Sequence, residues 1–210
     1  MTLTVDVISD VICPWCFIGK RRLERAIAAH GVPVKVSWHP FQLNPGMPKE
    51  GISRRDYRIQ KFGSLQRSQE LDANVVAVGE TEGIHFSFDR IERTPNTVDA
   101  HRLIWLADQQ GCQDAVVEAL FLAYFTEGCD ISNRQTLIEV VAEAGLERGK
   151  AEALLNSDEG LTAIKEAGEQ ARRLGVTGVP FFIVNNQITL SGAQQSETFL
   201  EAFSQAMGEK

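Results

Sequence analysis

Residues 11–24 have the sequence VICPWCFIGKRRLE, in which two cysteines, Cys13 and Cys16, stand two residues apart. In the segment before them, residues 3–8, apolar and polar side chains alternate, as they do in a half-buried strand. The segment after them has helical spacing as far as His30. The sequence therefore predicts a strand, a short loop, and a helix that begins at the cysteine pair.

The middle of the chain has a different character. Residues 34–38 alternate cleanly and predict a second strand, parallel to the first because a helix connects the two. From about residue 44 to residue 155 the apolar side chains have helical spacing, and no convincing strand stands out. Residues 114–125 are apolar nearly all round, which predicts a buried helix.

The last quarter of the chain returns to mixed structure. We expect a helix that Ser157 caps and Gly175 ends, followed by a strand that starts just after Pro180. Asn185 and Asn186 predict a two-residue hairpin turn, because asparagine tolerates positive φ. An antiparallel strand and a final helix complete the pattern.

Together these segments predict an α/β protein of the thioredoxin arrangement, β-α-β followed by α-β-β-α, with an inserted all-helical domain. The predicted thioredoxin-like domain comprises residues 1–45 and 156–210. The predicted helical insertion domain comprises residues 46–155.

The composition restricts the partners and the compartment. Lys and Arg number 21 against 28 Asp and Glu, and a net charge of −7 argues against nucleic-acid binding. No apolar run reaches the roughly 18 residues of a membrane span. The first residues lack the basic segment of a signal peptide, so we expect a cytoplasmic protein, in which structural disulfides are rare.

The cysteine pair predicts thiol–disulfide chemistry. Unpaired N–H groups at a helix N-terminus favour negative charge, so Cys13 is the expected attacking thiolate. Cys16 lies one turn on and can attack the mixed disulfide that forms on Cys13. Pro14 suits the first helical turn, and Trp15 is expected to shield the sulfur and offer a stacking face.

A zinc site is the structural alternative, because two cysteines at this spacing also form half of many zinc sites. The other cysteines, Cys112 and Cys129, lie far along the chain, and no histidine stands at ligand spacing. We therefore expect no metal and no tightly bound cofactor, and we interpret Cys112 and Cys129 as unpaired.

A second motif, Gly178-Val179-Pro180, precedes a predicted strand. Thioredoxin folds have a cis-proline before the third strand, so the similarity of this arrangement to them implies a cis peptide bond at Pro180 and an outward-facing Val179 backbone that pairs with an extended substrate. An ordinary trans proline at a strand start is the alternative.

Five segments resemble the DsbA-like disulfide oxidoreductases, specifically the FrnE-type branch. They are residues 11–24, FQLNP at 41–45, NTVDAHRL at 96–103, GVPFF at 178–182 and SGAQ at 191–194. The resemblance covers nearly the whole chain. It implies a thioredoxin fold with a helical insertion, exchange of disulfides with protein or low-molecular-weight thiols, and the roles of nucleophile, resolving thiol and cis-proline for Cys13, Cys16 and Pro180.

The same superfamily includes 2-hydroxychromene-2-carboxylate isomerases and kappa-class glutathione transferases. These relatives carry serine at the position of Cys13 and bind glutathione. Direct glutathione transfer is therefore disfavoured here, while glutathione as a thiol partner stays open. A glutathione-dependent isomerase or transferase is the second hypothesis, and a chaperone-like holdase is the third. The oligomeric state is left open.

Three further polar residues are candidates for the site. Asp10 is expected to bond the backbone of its turn or to shuttle a proton to Cys16. Asn96 and His101 begin a helix that the relatives place over the active-site groove, so they are candidate substrate contacts, although a solvated histidine is the simpler interpretation. The basic residues from Lys20 to Arg25 predict a solvated helix face.

Overall fold

The computed structural model describes residues 2–208 of the chain. The elements in chain order are β1 Leu3–Ser9, α1 Pro14–His30, β2 Val34–Pro40, β3 Ile52–Ser53, α2 Arg54–Phe62, α3 Leu65–Thr81, β4 Arg93–Thr94, α4 Val98–Gln109, α5 Gln113–Leu122, α6 Arg134–Glu143, α7 Arg148–Leu155, α8 Leu161–Arg173, β5 Phe181–Val184, β6 Ile188–Ser191 and α9 Ser196–Met207. A 3₁₀ turn spans Phe88–Arg90, and a π-helical turn spans Ala123–Glu127.

A four-stranded sheet in the order β2-β1-β5-β6 carries the cysteine loop. β1 pairs with β2 in parallel, Leu3 opposite Val34, and with β5 in antiparallel. The turn between β5 and β6 contains Asn185 at φ 48° and Asn186 at φ 55°, so the predicted antiparallel hairpin and its positive φ angles are confirmed. The predicted loop length is wrong: Val184 pairs with Ile188, so the loop has three residues, 185–187, and not two. The mixed α/β class and the thioredoxin arrangement predicted from the sequence are therefore confirmed.

The two faces of the sheet pack against different helices. On one face, α1 and α9 bury a large core in which the rings of Phe182 and Phe199 meet edge to face at 4.8 Å. On the other face, Ile8 and Phe41 pack against Ala171 of α8. The loop after β1 therefore emerges between two covered faces and leads directly into α1.

The helical part of the chain shares the larger core. Phe17 of α1 stacks on Phe121 at 5.1 Å and on Phe125 at 6.3 Å. The expectation of a buried helix over residues 114–125 is confirmed for Val116, Leu120 and the two phenylalanines, while Leu122 is exposed. Phe17 lies one residue after Cys16, so the cysteine helix begins at the boundary between the sheet and the helical part.

Two details differ from the sequence prediction. The middle of the chain contains a short antiparallel pair, β3 with β4, that is too brief to show a period of two. Ser157 does not cap α8, because the chain turns through Gly160 at φ 80° and the helix begins one residue later. The Ser157 hydroxyl instead donates to the Leu154 carbonyl at 2.9 Å and accepts from the Glu159 N–H at 3.2 Å.

The prediction of a solvated basic face on α1 is wrong. Lys20 is 2% exposed, and its Nζ lies 3.1 Å from carboxylate oxygens of both Asp114 and Glu118 on the α5 side. Arg22 is 6% exposed, and its Nε lies 2.6 Å from Glu82 at the end of α3. These cations connect the cysteine helix to the helical part on two sides.

In residues 2–208 no helix combines the length and the apolar character needed to cross a membrane.

Candidate active site

The cysteine pair stands where β1 ends and α1 begins. Cys13 is the residue before the helix, with φ −95° and ψ 109°, and Pro14 occupies the first helical turn. The Cys13 N–H donates to the Asp10 carbonyl at 3.0 Å, and the Cys16 N–H donates to the Cys13 carbonyl at 3.0 Å. Both cysteines are free thiols, 5% and 1% exposed respectively. The local backbone therefore places two sulfurs at the open N-terminal end of one helix.

The two thiols have different surroundings. Burial raises the pKa of Cys16 well above its ordinary value, and the adjacent Cys13 side chain raises it further. The Ser9 hydroxyl and the Asp10 backbone N–H act in the opposite direction on the Cys16 pKa, with smaller effect. Cys16 is therefore held as a neutral thiol at pH 7. Ser9, which sequence reasoning missed, is the last residue of β1 and is 6% exposed.

The Val179–Pro180 peptide is cis, as the sequence motif predicts. The Cys13 sulfur donates a hydrogen bond to the Val179 carbonyl at 3.4 Å, across 166 residues of sequence. Pro180 is buried against Gly19, at which an added Cβ would lie 3.1 Å from the proline Cγ. The structure therefore brings the cysteine motif and the proline motif together.

Asp10 and His101 form a buried pair behind the cysteine loop. Asp10 is fully buried, and one carboxylate oxygen lies 3.2 Å from His101 Nε2. Its other carboxylate oxygen accepts the Leu43 backbone N–H at 2.8 Å. The Asp10 carboxylate therefore bonds the loop after β2 and His101, and not the backbone of its own turn as the sequence predicts. His101 is 3% exposed, which contradicts the expectation of a solvated histidine.

Asn96 lies away from the cysteine pair. Its amide donates to the Met47 carbonyl at 2.6 Å and accepts the N–H of Val98, the first residue of α4, at 2.9 Å. It lines a separate cavity of about 290 Å³ that Cys13 does not line. Asn96 therefore fixes the start of α4, and both of these hydrogen bonds are to residues outside the cysteine loop.

A cavity of about 280 Å³ opens beside Cys13, between the cysteine loop, α2 and α3; we call it the α2 cavity. Trp15 and Phe88 contribute apolar surface, and three cations of α2 contribute charge. Those cations, Arg54, Arg58 and Lys61, are spaced i, i+4 and i+7 and so share one helix face. Sequence reasoning missed this face because a charged stripe on a polar helix is typical of solvent exposure.

Across residues 2–208 there is no group of three or more His, Cys, Asp or Glu side chains that could hold a metal ion.

The DSBA-like thioredoxin domain matches residues 4–204. The chain belongs to this DsbA-like family. The match spans the sheet, the cysteine helix, the helical part and most of α9, so it covers every segment that forms the site.

Solved structures of related proteins have the same fold. A probable DsbA oxidoreductase from Streptomyces coelicolor is 32% identical, with a TM-score of 0.91 over 99% of this chain and 91% of that one. A 2-hydroxychromene-2-carboxylate isomerase is 18% identical, with a TM-score of 0.73 over 98% and 94%. The cytosolic disulfide reductase DsbM from Pseudomonas aeruginosa, solved with GSH, is 23% identical, with a TM-score of 0.69 over 96% and 99%.

Proposed function

We propose that this DsbA-like protein is a thiol–disulfide oxidoreductase of the FrnE-type branch, with Cys13 as nucleophile and Cys16 as resolving thiol. The observation that carries the proposal is the position of the Cys13 sulfur. It stands at a helix N-terminus, contacts the Val179 carbonyl at 3.4 Å, and lines the α2 cavity, while Cys16 is buried one turn behind it.

In the first step the Cys13 thiolate attacks one sulfur of a substrate disulfide. A bond forms between the Cys13 sulfur and that sulfur, the substrate S–S bond breaks, and one substrate thiolate leaves. The attacking sulfur stands at the N-terminal end of α1, which is the positive end of the helix dipole. The raised pKa of Cys16 keeps the second thiol from competing for the substrate.

In the second step Cys16 attacks the Cys13 sulfur. Cys16 loses its proton to the departing thiolate or to water, the mixed disulfide breaks, and the Cys13–Cys16 disulfide forms. The protein is oxidised by two electrons and the substrate disulfide becomes two thiols. An external dithiol, or glutathione as a thiol partner, regenerates the reduced pair, and the reverse sequence oxidises a substrate.

The supporting residues have distinct proposed tasks. Trp15 covers the sulfur and offers its ring to the substrate, and Pro14 starts the helix without losing a hydrogen bond. The Val179 backbone, which Pro180 holds beside Cys13, pairs with an extended substrate. We propose that His101 positions Asp10 and does not contact the substrate, because its imidazole is buried against the Asp10 carboxylate.

The test is turnover of insulin or glutathione disulfide with a recycling reductant. Cys13→Ser is expected to reduce turnover to the uncatalysed background, and Cys16→Ala is expected to accumulate a mixed disulfide on Cys13, visible by mass spectrometry. Cys112→Ser and Cys129→Ser are matched controls, because neither thiol lines the α2 cavity. Retained turnover in Cys13→Ser would refute the proposal.

A glutathione-dependent isomerase or transferase is the second candidate. The observation in its favour is the fold shared with a 2-hydroxychromene-2-carboxylate isomerase. It predicts saturable glutathione binding and conversion of an aromatic electrophile that survives Cys16→Ala. We favour the oxidoreductase, since an isomerase does not need a second thiol behind the first. A cytoplasmic location is also part of the proposal, supported by the fold shared with a cytosolic reductase.

A further inference from the structure

We propose that the α2 cavity binds the anionic body of a small disulfide, so that Cys13 reacts with carboxylate-bearing low-molecular-weight disulfides in preference to neutral or cationic ones. This inference rests on the proposed function and names its substrate class. In this proposal Arg54 and Arg58 select for the carboxylate of the disulfide. Neither the cysteine motif nor the proline motif indicates such a role for these arginines.

The wall of the α2 cavity carries more positive than negative side chains. Arg54, Arg58 and Lys61 line it, and Asp72 is the one carboxylate that does so. This excess of cations occurs in a chain whose net charge is −7. Burial raises the pKa of Tyr124 to about 12, so its hydroxyl adds no negative charge. The cavity therefore has a net positive charge beside the reacting sulfur.

The single carboxylate is shared between two guanidinium groups. One Asp72 oxygen lies 2.9 Å from Arg54 Nη2, and the other binds Arg58 Nη2. The side chains of both arginines are 13% exposed. Because arginine does not give up its proton in proteins, one positive charge stays uncompensated in a partly dehydrated site.

Aromatic rings hold these arginines in place. The Arg54 guanidinium lies 5.0 Å from the centre of the Phe88 ring, and the Arg58 guanidinium lies 4.3 Å from the centre of the Phe62 ring. Rings and cations both line the cavity. A guanidinium that stacks on a ring is oriented before a ligand arrives, which reduces the entropic cost of binding.

A buried hydroxyl also belongs to the cavity wall. Thr94 is 2% exposed and lines the α2 cavity beside Tyr124, whose phenol its side chain contacts. A hydroxyl can donate one hydrogen bond and accept others, so Thr94 and Tyr124 give the wall polar groups that suit a ligand oxygen.

The size of the cavity favours a small molecule. A volume of about 280 Å³ lies just below the range of roughly 300–1,000 Å³ that small-molecule sites occupy. The body of a small disulfide fits this space, whereas a folded protein would meet the rim first. The reaction is the exchange described above: the cavity binds the carboxylate-bearing group, Cys13 bonds to its sulfur, and the other half leaves as a thiolate.

The experiment measures single-turnover oxidation of the reduced protein by three aliphatic disulfides. Dithiodipropionate carries two carboxylates, hydroxyethyl disulfide is neutral, and cystamine carries two ammonium groups. Each rate is divided by the rate at which the same disulfide reacts with free mercaptoethanol. This division removes differences in intrinsic reactivity among the three disulfides. The normalised anionic-to-neutral ratio is expected to be about tenfold, the effect of one charge-assisted contact, and to fall as salt is added.

Variants of the cavity wall sharpen the test. Arg58→Met is expected to lower the anionic-to-neutral ratio, and Asp72→Asn is expected to raise it, because it removes the compensating charge. Arg55→Met is the matched control: this exposed arginine lies on the same helix and does not line the α2 cavity. If Arg58→Met does not fold, Lys61→Met serves in its place, since Lys61 is exposed.

The outcomes separate the two proposals. If neutral disulfide reacts at Cys13 without any anionic preference, or if Arg55→Met lowers the ratio as much as the cavity variant does, the α2 cavity proposal is wrong and the oxidoreductase stands. If no disulfide reacts faster with wild type than with Cys13→Ser, both proposals are wrong. A preference that moves down with Arg58→Met and up with Asp72→Asn supports both.

Discussion

At the scale of single residues, the site depends on an asymmetry between two chemically identical groups. Cys13 lines the α2 cavity and contacts a carbonyl, whereas Cys16 is fully enclosed and its pKa is raised. Thiolates, not thiols, react with disulfides and alkylating agents. Because burial keeps Cys16 neutral, a substrate disulfide is expected to react first at Cys13.

The raised pKa of Cys16 predicts stepwise alkylation. In a Cys112→Ser, Cys129→Ser background, iodoacetamide at pH 7.5 is expected to add one label per folded chain, at Cys13. The second label is expected only as the pH rises well above the ordinary thiol pKa, about 8.5. Mass spectrometry after timed quenching measures both, and denatured protein is the control that takes two labels. Equal labelling of both cysteines in the folded protein at pH 7.5 would contradict the prediction.

The same shift has a consequence for stability. Because the Cys16 pKa is raised in the folded state, folding favours the protonated thiol. That contribution is complete below the ordinary thiol pKa and is lost as the pH rises through the folded value.

At the scale of elements, α1 is held on three sides. The sheet lies behind it, α3 holds Arg22 and Arg25 through Glu82, and the α5 side holds Lys20. The Glu82 side chain is only 3% exposed, so it must stay paired. These contacts fix the direction of the helix that presents the sulfurs.

Glu82→Gln tests one of these contacts. The substitution leaves Arg22 buried without its carboxylate, and breaking such a pair costs about 3–5 kcal/mol. Urea unfolding measures the loss in free energy. Glu147→Gln is the matched control, because its partner Lys150 is 57% exposed and an exposed pair contributes at most about 1 kcal/mol. Equal effects of the two substitutions would show that Glu82 is not a structural contact.

Gly19 tests how closely α1 approaches the proline loop. A Cβ there would lie 3.0 Å from the Phe182 ring and 3.1 Å from Pro180, and neither is a flexible group. Overpacking of this kind costs about 1–3 kcal/mol, so Gly19→Ala is expected to destabilise the protein. Gly149→Ala, on α7 with open space around it, is expected to be neutral or stabilising by up to about 1 kcal/mol. A stabilising Gly19→Ala would show that the helix can shift outward at no cost.

Local patterns were sufficient for the sheet, the hairpin and the cysteine–proline pair. The alternation in residues 3–8, the two asparagines of the turn and the CPWC motif each have a short-range cause. The burial of the basic residues on α1 was not predictable, since the carboxylates that bind them from outside this helix lie 57–97 residues away. The burial of His101 depends on Asp10 at a separation of 91 residues, which no local pattern reveals.

At the scale of the whole molecule, the sheet and the helical part share one core through Phe17. This ring stacks on Phe121 and Phe125, and its residue is 1% exposed. The core of the proposed insertion domain, residues 46–155, is therefore completed by a side chain of α1, which belongs to the proposed thioredoxin-like domain. The ion pairs at Lys20 and Arg22 strengthen the same boundary.

We therefore expect the molecule to unfold in one transition. Tryptophan fluorescence is the measurement, with Trp38 on β2 and Trp105 on α4 as separate reporters in variants in which Trp15 and the other of these two are replaced by phenylalanine. Their urea midpoints are expected to coincide, and Phe17→Ala is expected to lower both by the equivalent of about 3–5 kcal/mol. Two separated midpoints in wild type would mean that the helical part folds independently.

The hydrogen bond between Cys13 and Val179 spans 166 residues, which matters while the chain is being made. Ribosomes add about 5–20 residues per second, so the thiols exist for roughly ten to thirty seconds before their carbonyl partner is synthesised. In that interval they are ordinary cysteines on a nascent polypeptide, open to any oxidant nearby. The Cys13 thiol can therefore reach its folded surroundings only after the ribosome has synthesised Val179 and Pro180.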